Sequence, residues 1–512
     1  MKHRLLISFV VLIISTVCLF AQKANDEPVD PRGDAYFKAN CFTRALDEYI
    51  KAYAKNPNKA SLMRRIAECV METEVSRDTA LAFIEPYLGQ APTDADAVYM
   101  SAQAYFHAHQ FDSARARIDR YKTLVPQNAN SLRVRKFENA ITNAERMVAK
   151  PMKNRIVNMG EMINTSASEF TPYILNDNTL IFSCDEKYSP EAKLNIFNLK
   201  YSDNDGLSWS QAKSVSGQIN TVYDEYVCGA QGNHVFFNSN RTTQFSIWET
   251  DYRGNGRFTD GVKLGEPIDG VGDEVAATLS PSGDTIIFSA TTAKGDLDLY
   301  YCIKVNGSWG PARMLPGELN KPDSDENYPN LTSDGRLYFC SDREGSMGGY
   351  DIFYSDYDVS KGIWSSPQQM GYPINDTYDN TTISFTSNGR YAYISNIRKD
   401  GFGARDIYAV IFDDAPAATV VLKCFVGIDA KPAPKPLEES PLIKVMNNHG
   451  ELVATAALNM RTSTFILALE PGIYTITIDA EGAELYENKI TIEEQTYEHD
   501  AMERVILLKP EI

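Results

Sequence analysis

Paired aspartates are the first residues in this sequence whose type and spacing suggest chemistry. Two carboxylates placed two residues apart in a turn are potential calcium ligands. None of these pairs has the loop spacing of an EF-hand, and aspartates at hairpin tips usually cap their own turns. We therefore interpret them as solvated turns. The pairs are Asp203 with Asp205, Asp296 with Asp298, and Asp356 with Asp358.

Histidine and cysteine are the side chains most often used to bind zinc or to act as nucleophiles. His107 and His109 are two residues apart, so on a helix they are expected to point in different directions. The eight cysteines occur singly, without a Cys-x-x-Cys pair, and several lie in apolar runs, as Cys340 does. Isolated cysteines in apolar runs are typical of buried core thiols.

The motifs of the common enzyme classes are missing as well. The sequence contains no Gly-x-Ser-x-Gly, no phosphate-binding loop and no dinucleotide-binding fingerprint. The sequence therefore predicts no catalytic residue, no cofactor-binding residue, no metal site and no enzymatic activity.

Length and charge limit what the elements around these residues can be. A chain of 512 residues is long enough for about three domains at ~150 residues each. The formal net charge is −18, with 50 Lys and Arg against 68 Asp and Glu. Because binding to a nucleic-acid backbone requires clustered positive charge, this balance predicts no nucleic-acid partner.

The first 21 residues have the pattern of a secretory signal. Lys2 and Arg4 precede an apolar run at 5–20, and a small residue, Ala21, ends it. The run is shorter than the ~20 residues that cross a bilayer, so a membrane anchor is disfavoured and no transmembrane segment is expected in the mature chain. Lipidation at Cys18 is also disfavoured, because valine precedes the cysteine. We predict cleavage after Ala21 and export to the periplasm.

A repeat of 34 or 35 residues follows, over residues 30–149. Its small residues Ala45, Ala80 and Ala114 are spaced to allow close helix packing, and 128–149 has the pattern of a capping helix. The small, aromatic and proline positions resemble those of tetratricopeptide (TPR) repeats. This resemblance implies stacked helix pairs with a partner-binding concave face. A spacer that only orients its neighbours is the alternative.

Residues 151–413 contain five copies of a longer unit, each with a turn, a β run and a second β run. The copies are about 50 residues apart, as expected for propeller blades. An acidic residue begins each copy, and the second β runs have similar apolar centres. The acidic residues are Glu169, Glu225, Glu274, Glu326 and Asp379, and the centres are Ile196, Ile247, Leu299, Ile352 and Ile407.

The ends of these units indicate how the ring closes. Four units end in an aromatic-led strand and an apolar residue followed by Asn or Asp, but the fifth unit lacks them. The missing pair stands before the first unit as Ile163 and Asn164. We therefore predict that 153–164 pairs beside 404–412, which closes a propeller and leaves only short edges. Five blades are favoured, and six are the alternative.

Two sequences within this region resemble known families. Residues 341–353 resemble the PD40 repeat of WD40-like, TolB-type propellers, which implies a propeller fold but no particular ligand. Residues 202–209 resemble the Asp-box hairpin of sialidases, so a carbohydrate-binding or sialidase-like propeller is the alternative function. A sialidase also needs an arginine cluster, for which Arg241, Arg343 and Arg405 are candidates.

A short linker leads to a third predicted domain at 417–512. It contains about seven short β runs, and the alternation from Tyr474 to Ile478 predicts one buried and one solvated face. Pro471 to Tyr474, followed by Gly482, resembles the carboxypeptidase regulatory-like fold. This resemblance implies a transthyretin-like β-sandwich. The fold class predicted for the whole chain is therefore multidomain α + β.

The order of these modules is similar to that of PorE-type proteins of the Bacteroidota type IX secretion machinery. Those proteins continue into an OmpA-like domain, which this sequence does not contain before its last residue, Ile512. The resemblance implies a non-enzymatic scaffold in the periplasm, with peripheral attachment to the outer membrane. It also implies envelope or secretion-system partners that bind the TPR concave face or a propeller face.

Overall fold

The computed structural model describes most of the chain and divides it into two compact units. The first unit extends to Ile411 and contains the helices and most of the strands. The second contains 412–512, together with residues 203–210 and 385–391. The predicted signal at 1–21 lies outside the described residues. Those residues are 29–189, 194–204, 208–215, 218–242, 245–415, 420–492 and 502–511.

The N-terminal part of the first unit is helical, and we call its helices the helical array. Three helices begin at a side-chain cap, because Asp30, Asp94 and Ser131 each accept a backbone N–H of the first turn. A 3₁₀ turn at Arg77–Ala80 precedes the fourth helix. The helices are α1 (Pro31–Lys38), α2 (Phe42–Lys55), α3 (Ala60–Met71), α4 (Leu81–Gln90), α5 (Ala95–His107), α6 (Phe111–Leu124) and α7 (Leu132–Val148).

Small residues let these helices approach one another closely. The three alanines predicted to do so, Ala45, Ala80 and Ala114, are fully buried. At Gly33, an added Cβ would lie 2.5 Å from the ring of Tyr49, which is itself fully buried. The helices therefore share one core rather than forming separate hairpins.

Five antiparallel sheets follow, and we call each one a blade. Blades three and four have their outer edge in two short pieces, after Trp309 and Trp364, whereas one continuous outer strand was expected. The strand β1 (Arg155–Asn158) precedes blade one. Blade one contains β2 (Glu169–Leu175), β3 (Thr179–Ser189), β4 (Leu194–Asp203) and β5 (Lys213–Ser214). Blade two contains β6 (Glu225–Gln231), β7 (His234–Ser239), β8 (Ser246–Asp251) and β9 (Val262–Lys263). Blade three contains β10 (Glu274–Leu279), β11 (Thr285–Thr291), β12 (Leu297–Val305), β13 (Ser308–Trp309) and β14 (Arg313–Met314). Blade four contains β15 (Glu326–Leu331), β16 (Arg336–Ser341), β17 (Asp351–Asp358), β18 (Ile363–Trp364) and β19 (Gln368–Gln369). Blade five contains β20 (Ile383–Phe385), β21 (Tyr391–Asn396) and β22 (Asp406–Ile411).

The first strand of each blade lies close to the first strands of its neighbours. In β6, a Cβ added to Gly229 would lie only 1.7 Å from the carbonyl oxygen of Ala277 in β10. Strand β2 of blade one is buried along its whole length. Strands buried on both faces in this way are expected at the centre of a β-propeller.

The predicted ring closure is confirmed. Strand β1 pairs antiparallel with β22 of blade five, with Arg155 opposite Ile411 and Asn158 opposite Tyr408. Blade five thus obtains its fourth strand from the N-terminal side of blade one. Within the described residues of this region there is no sixth sheet, and the five-bladed propeller is the observed arrangement.

The apolar-Asn pairs hold the third strand of a blade at one residue. The side-chain oxygen of Asn320 accepts the N–H of Leu299 at 2.9 Å, and its Nδ2 donates to the carbonyl of the same residue at 3.0 Å. Asn164 makes the same pair of bonds to Ile407 in blade five, at 2.8 and 2.9 Å. The copy at the front of the propeller therefore serves the last blade.

The second unit consists of two sheets. In β27, Ile476 and Ile478 are buried, as the alternation predicted. One sheet has the strand order β26-β23-β29 and the other has the order β25-β24-β27-β28. The strands are β23 (Val420–Ile428), β24 (Leu442–Asn447), β25 (Leu452–Ala456), β26 (Thr464–Leu469), β27 (Gly472–Asp479), β28 (Tyr486–Ile492) and β29 (Met502–Leu508).

Candidate functional site at the junction of array and propeller

The acidic residues that begin the blades are parts of the fold. In blade two, Glu225 accepts the backbone N–H of Thr221 at 2.8 Å and the hydroxyl of Ser239 at 3.1 Å. It also pairs with Arg241 at 3.2 Å. The carboxylate therefore ties the loop that enters the blade to its second strand.

Blade four has the same arrangement in a more buried form. Glu326 accepts from Ser341 at 2.8 Å and pairs with Arg343 at 2.9 Å, and neither charged side chain is more than 6% exposed. Burial raises the pKa of Glu326 to about 7, although the Arg343 charge opposes this rise. Burial also lowers the pKa of Arg343. The guanidinium lies over the rings of Phe339 and Phe353, at 4.9 and 5.3 Å from their centroids.

Blade five departs from this pattern, and the predicted acidic residue there is wrong by one position. Asn380, not Asp379, accepts the backbone N–H four residues before it, at 2.8 Å. Asp379 instead accepts a backbone N–H of the preceding blade at 3.0 Å, as Asp224 and Asp325 do at 3.1 and 2.8 Å. Proximity in sequence to the other acidic positions misled the alignment, because an amide replaces the carboxylate in this blade.

At the boundary between blades five and one, which we call the seam, a residue of the helical array enters the propeller. Ser168 occupies the position before the blade-one glutamate, and its hydroxyl donates to the carboxylate of Glu74. The same carboxylate accepts from Nε of Arg405 at 3.2 Å. Arg405 is only 8% exposed and also donates to the carbonyl of Asp379 at 3.0 Å.

The two histidines also contact the propeller. His107 stacks on Tyr378, with ring centroids 4.6 Å apart, and its Nδ1 lies 3.2 Å from the hydroxyl of Thr377. His109 meets Tyr372 edge to face at 5.7 Å. The prediction that the histidines diverge is therefore wrong, because His109 has a φ of +57°, outside the helical range, and both rings meet the same propeller segment.

Burial determines the charge of these histidines. It lowers the pKa of His107 well below its usual value, and the nearby Arg77 lowers it further. Burial also lowers the pKa of His109. Both rings are therefore neutral near pH 7 and act as packing surfaces and hydrogen-bonding groups.

Helix α7 makes the third contact of this junction. Lys136 pairs with Asp342 at 2.8 Å, and Nδ2 of Asn143 donates to the carbonyl of Ser346 at 3.1 Å. The next residue, Met347, is fully buried and belongs to the hydrophobic core of the array. The array and blades four, five and one are thus held together by apolar, aromatic and charged contacts.

The junction also contains carboxyl groups with raised pKa values. Burial raises the pKa of Asp185 to about 6, and the charges of Glu74 and Glu169 raise it further. Burial raises the pKa of Asp379 as well, while Arg77 and Arg405 oppose the rise. These shifts follow from packing at the junction and do not by themselves indicate a catalytic acid.

The paired aspartates are separate from this junction. Asp356 pairs with Arg336 at 2.7 Å, and Asp358 pairs with Lys361 at 2.7 Å. The hydroxyl of Thr292 donates to Asp296 at a turn. Across the described ranges there is no group of three or more His, Cys, Asp or Glu side chains placed to hold a metal ion.

The predicted arginine candidates do not converge. Arg241 and Arg343 each pair with the glutamate of their own blade, and Arg405 pairs with Glu74 of the array. They belong to blades two, four and five.

The Asp-box-like segment forms a turn. Asn204 bridges Trp209, and the N–H of Asp203 donates to the hydroxyl of Ser210 at 3.1 Å. Residues 205–207, including Asp205, lie outside the described residues. The described part shows how the motif shapes a hairpin, which is its structural role.

The described cysteines are free thiols, and six of the seven are buried, as predicted for core thiols. Cys41 is half-buried. Burial raises the pKa of Cys302 to about 11, so this thiol is protonated near pH 7. A protonated thiol is a poor nucleophile.

The sequence did not identify Glu74 and Met347 as junction residues. The sequence contained two signals for them. Ser168 breaks the aspartate pattern of the other blades, and Met347 is an apolar residue in a glycine-rich turn. Neither signal identifies the surface that receives the residue.

Comparison with known proteins gives limited information. No family model matches the chain, and no curated protein does. Solved structures that align with it include TolB from Acinetobacter baumannii, 14% identical, covering 67% of this chain and 71% of that chain with a TM-score of 0.27. A gluconolactonase from Xanthomonas campestris is 12% identical, covering 51% of this chain and 90% of that chain with a TM-score of 0.30.

A third aligned structure is beta-1,2-mannobiose phosphorylase from Listeria innocua. It is 11% identical and covers 51% of this chain and 97% of that chain, with a TM-score of 0.36. Scores of this size carry no argument about function, and the propeller assignment rests on the sheet topology described above. Among the described helices, none is long and apolar enough to cross a membrane.

Proposed function

We propose that this chain is a non-enzymatic interaction scaffold of the bacterial cell envelope. The observation that supports this best is the engagement of its reactive side chains in structural contacts. The arginines that a sialidase would need for a substrate carboxylate are paired with Glu225, Glu326 and Glu74. The histidines pack against the propeller.

In this proposal the helical array is a set of TPR-type repeats, the blades are of the PD40 type, and the second unit is a regulatory-like, transthyretin-type sandwich. The order of these modules, which is similar to that in PorE-type proteins, supports a place in the periplasm with peripheral attachment to the outer membrane. The partners would be envelope proteins, including components of type IX secretion, bound to the concave face of the array or to a propeller face.

The proposal is tested by affinity capture of the tagged full chain from solubilised envelopes. Deleting a module would expose shared core residues such as Met347, so charge-changing surface variants are preferable. One variant alters the array, with Lys38→Glu and Asp96→Lys, and the other alters the propeller, with Val305→Glu and Val359→Glu. All four positions are exposed.

A scaffold is expected to retain a reproducible set of envelope proteins, and one of the two variants is expected to lose part of that set. The matched control is the unaltered chain captured in the same way. If the purified chain cleaves glycosides and retains no protein partner, the carbohydrate-active alternative is correct and the proposal is wrong.

A further inference from the structure

The residue immediately before the acidic position of each blade follows a rule with one exception. It is aspartate in four blades and Ser168 in blade one. The aspartates are Asp224, Asp273, Asp325 and Asp379. In three of these blades the aspartate accepts a backbone N–H from the preceding blade, at 2.8 to 3.1 Å.

Serine does not supply the carboxylate that these junctions use. At the seam, the carboxylate comes from Glu74, which accepts from Ser168 and from Arg405 of the preceding blade. A side chain of the array thus stands where the repeat pattern of the propeller lacks an acid. Because the contact is charge-assisted and half-buried, it is expected to be stronger than an ordinary surface ion pair.

The seam is also where the ring must close. Strand β1 pairs with β22 there, and the loops of blades five and one approach closely. A Cβ added to Gly403 would lie 2.4 Å from the carbonyl oxygen of Ala167. The segment that leaves α7 is fixed on blade five, because the N–H of Met152 donates to the carbonyl of Tyr372 at 2.7 Å.

We propose that the helical array is the closing element of the propeller. Glu74 completes the contact between blades five and one, so the closed ring requires the array in its docked position. The array is therefore a fixed part of the propeller rather than an arm that moves independently of it. This inference does not depend on which partners the scaffold binds.

Hydrogen exchange of the full-length chain, followed by mass spectrometry, tests the proposal. In the variant Glu74→Ala, amide exchange in β1 and β22 is expected to accelerate about tenfold, as for a loss of about 1.4 kcal/mol of opening free energy. Exchange in β6 and β7 of blade two is expected to stay within about twofold of the unaltered chain.

The matched control is Glu85→Ala. Glu85 is as exposed as Glu74, at 27% against 28%, and pairs with Arg117 inside the array. Its loss is expected to leave β1 and β22 unchanged. If both variants accelerate the seam equally, the effect is general destabilisation of the array and the proposal is wrong.

A second variant keeps the proposal testable if Glu74→Ala loosens the whole fold. Adding Ser168→Asp restores to blade one the acid that the other blades carry, facing Arg405. This double variant is expected to return the exchange of β1 and β22 to within about twofold of the unaltered chain. Unchanged exchange in Glu74→Ala, or no recovery on adding Ser168→Asp, would overturn the proposal.

Discussion

Blade four and the seam hold neighbouring segments together with the same chemistry but with different sources of charge. In blade four, Glu326 and Arg343 come from one blade and are almost completely buried. At the seam, Arg405 belongs to the propeller and its carboxylate partner, Glu74, belongs to the array. The first contact is complete within the repeat, whereas the second requires another module.

Blade five provides the intermediate case. Arg398 has the position that Arg343 has in blade four and donates to the carbonyl of Pro373 at 2.6 Å. Its blade carries Asn380 instead of glutamate. The comparison indicates that an arginine at this position is held by backbone carbonyls as well as by a carboxylate, and that the carboxylate determines how strongly its loss is felt.

The largest effect is therefore expected for Arg343→Ala. Removing the guanidinium leaves Glu326 buried without its charged partner, a change that typically costs about 3–5 kcal/mol. The equivalent change in blade five, Arg398→Ala, removes a carbonyl contact and is expected to cost about 1 kcal/mol. Guanidinium-induced unfolding of both variants, followed by tryptophan fluorescence, measures the difference.

Tryptophan is a suitable probe because all four tryptophans of the chain lie between residues 209 and 364 of the propeller region. Equal shifts of the propeller transition in Arg343→Ala and Arg398→Ala would show that the glutamate is unimportant. The comparison between blades four and five would then have to be abandoned.

Repetition explains how much of the propeller could be predicted from the sequence. The strand runs, the apolar-Asn pairs and the front copy at Ile163 and Asn164 recur at fixed spacing, and they predicted the pairing of β1 with β22 correctly. The error at Asp379 arose where the repeat itself changes, because Asn380 does not look like the glutamates it replaces.

The junction could not be predicted in the same way. Glu74 and Ser168 are 94 residues apart, and neither residue type specifies the other. His107 and His109 were assessed by helical spacing, but the helix ends at His107, so that spacing does not extend to His109. Contacts between different modules have no period in the sequence, and they become visible only when the modules are placed together.

A moderate effect is expected from pH in blade three, whose glutamate has no listed arginine partner in the role of Arg343. Burial raises the pKa of Glu274 from its ordinary 4.5 to about 7. Protonation is therefore favoured in the folded state, and this stabilisation is complete below the unfolded pKa and is lost as the pH rises through 7. From pH 5 to pH 8 this group alone is expected to lower the free energy of unfolding by about 2 kcal/mol.

The variant Glu274→Gln keeps an acceptor oxygen for the N–H of Gly270 and cannot ionise. Its free energy of unfolding is expected to fall less than that of the unaltered chain between pH 5 and pH 8, by about 2 kcal/mol. Denaturant titrations at the two pH values measure this difference. Parallel pH profiles for the two proteins would contradict the assignment.

The smallest effect is expected at the outer edge of the junction, where Lys136 pairs with Asp342. The lysine side chain is 41% exposed and the aspartate 27%, so solvent screens their attraction and the pair is expected to contribute less than about 1 kcal/mol. The variant Lys136→Met keeps the apolar stem, and Lys361→Met removes a similar ion pair away from the array. Both are expected to change the unfolding midpoint little, since the buried Met347 beside this pair maintains the packing of array and propeller. A loss in Lys136→Met comparable to that in Arg343→Ala would mean that the exposed edge, and not the buried contacts, holds the array in place.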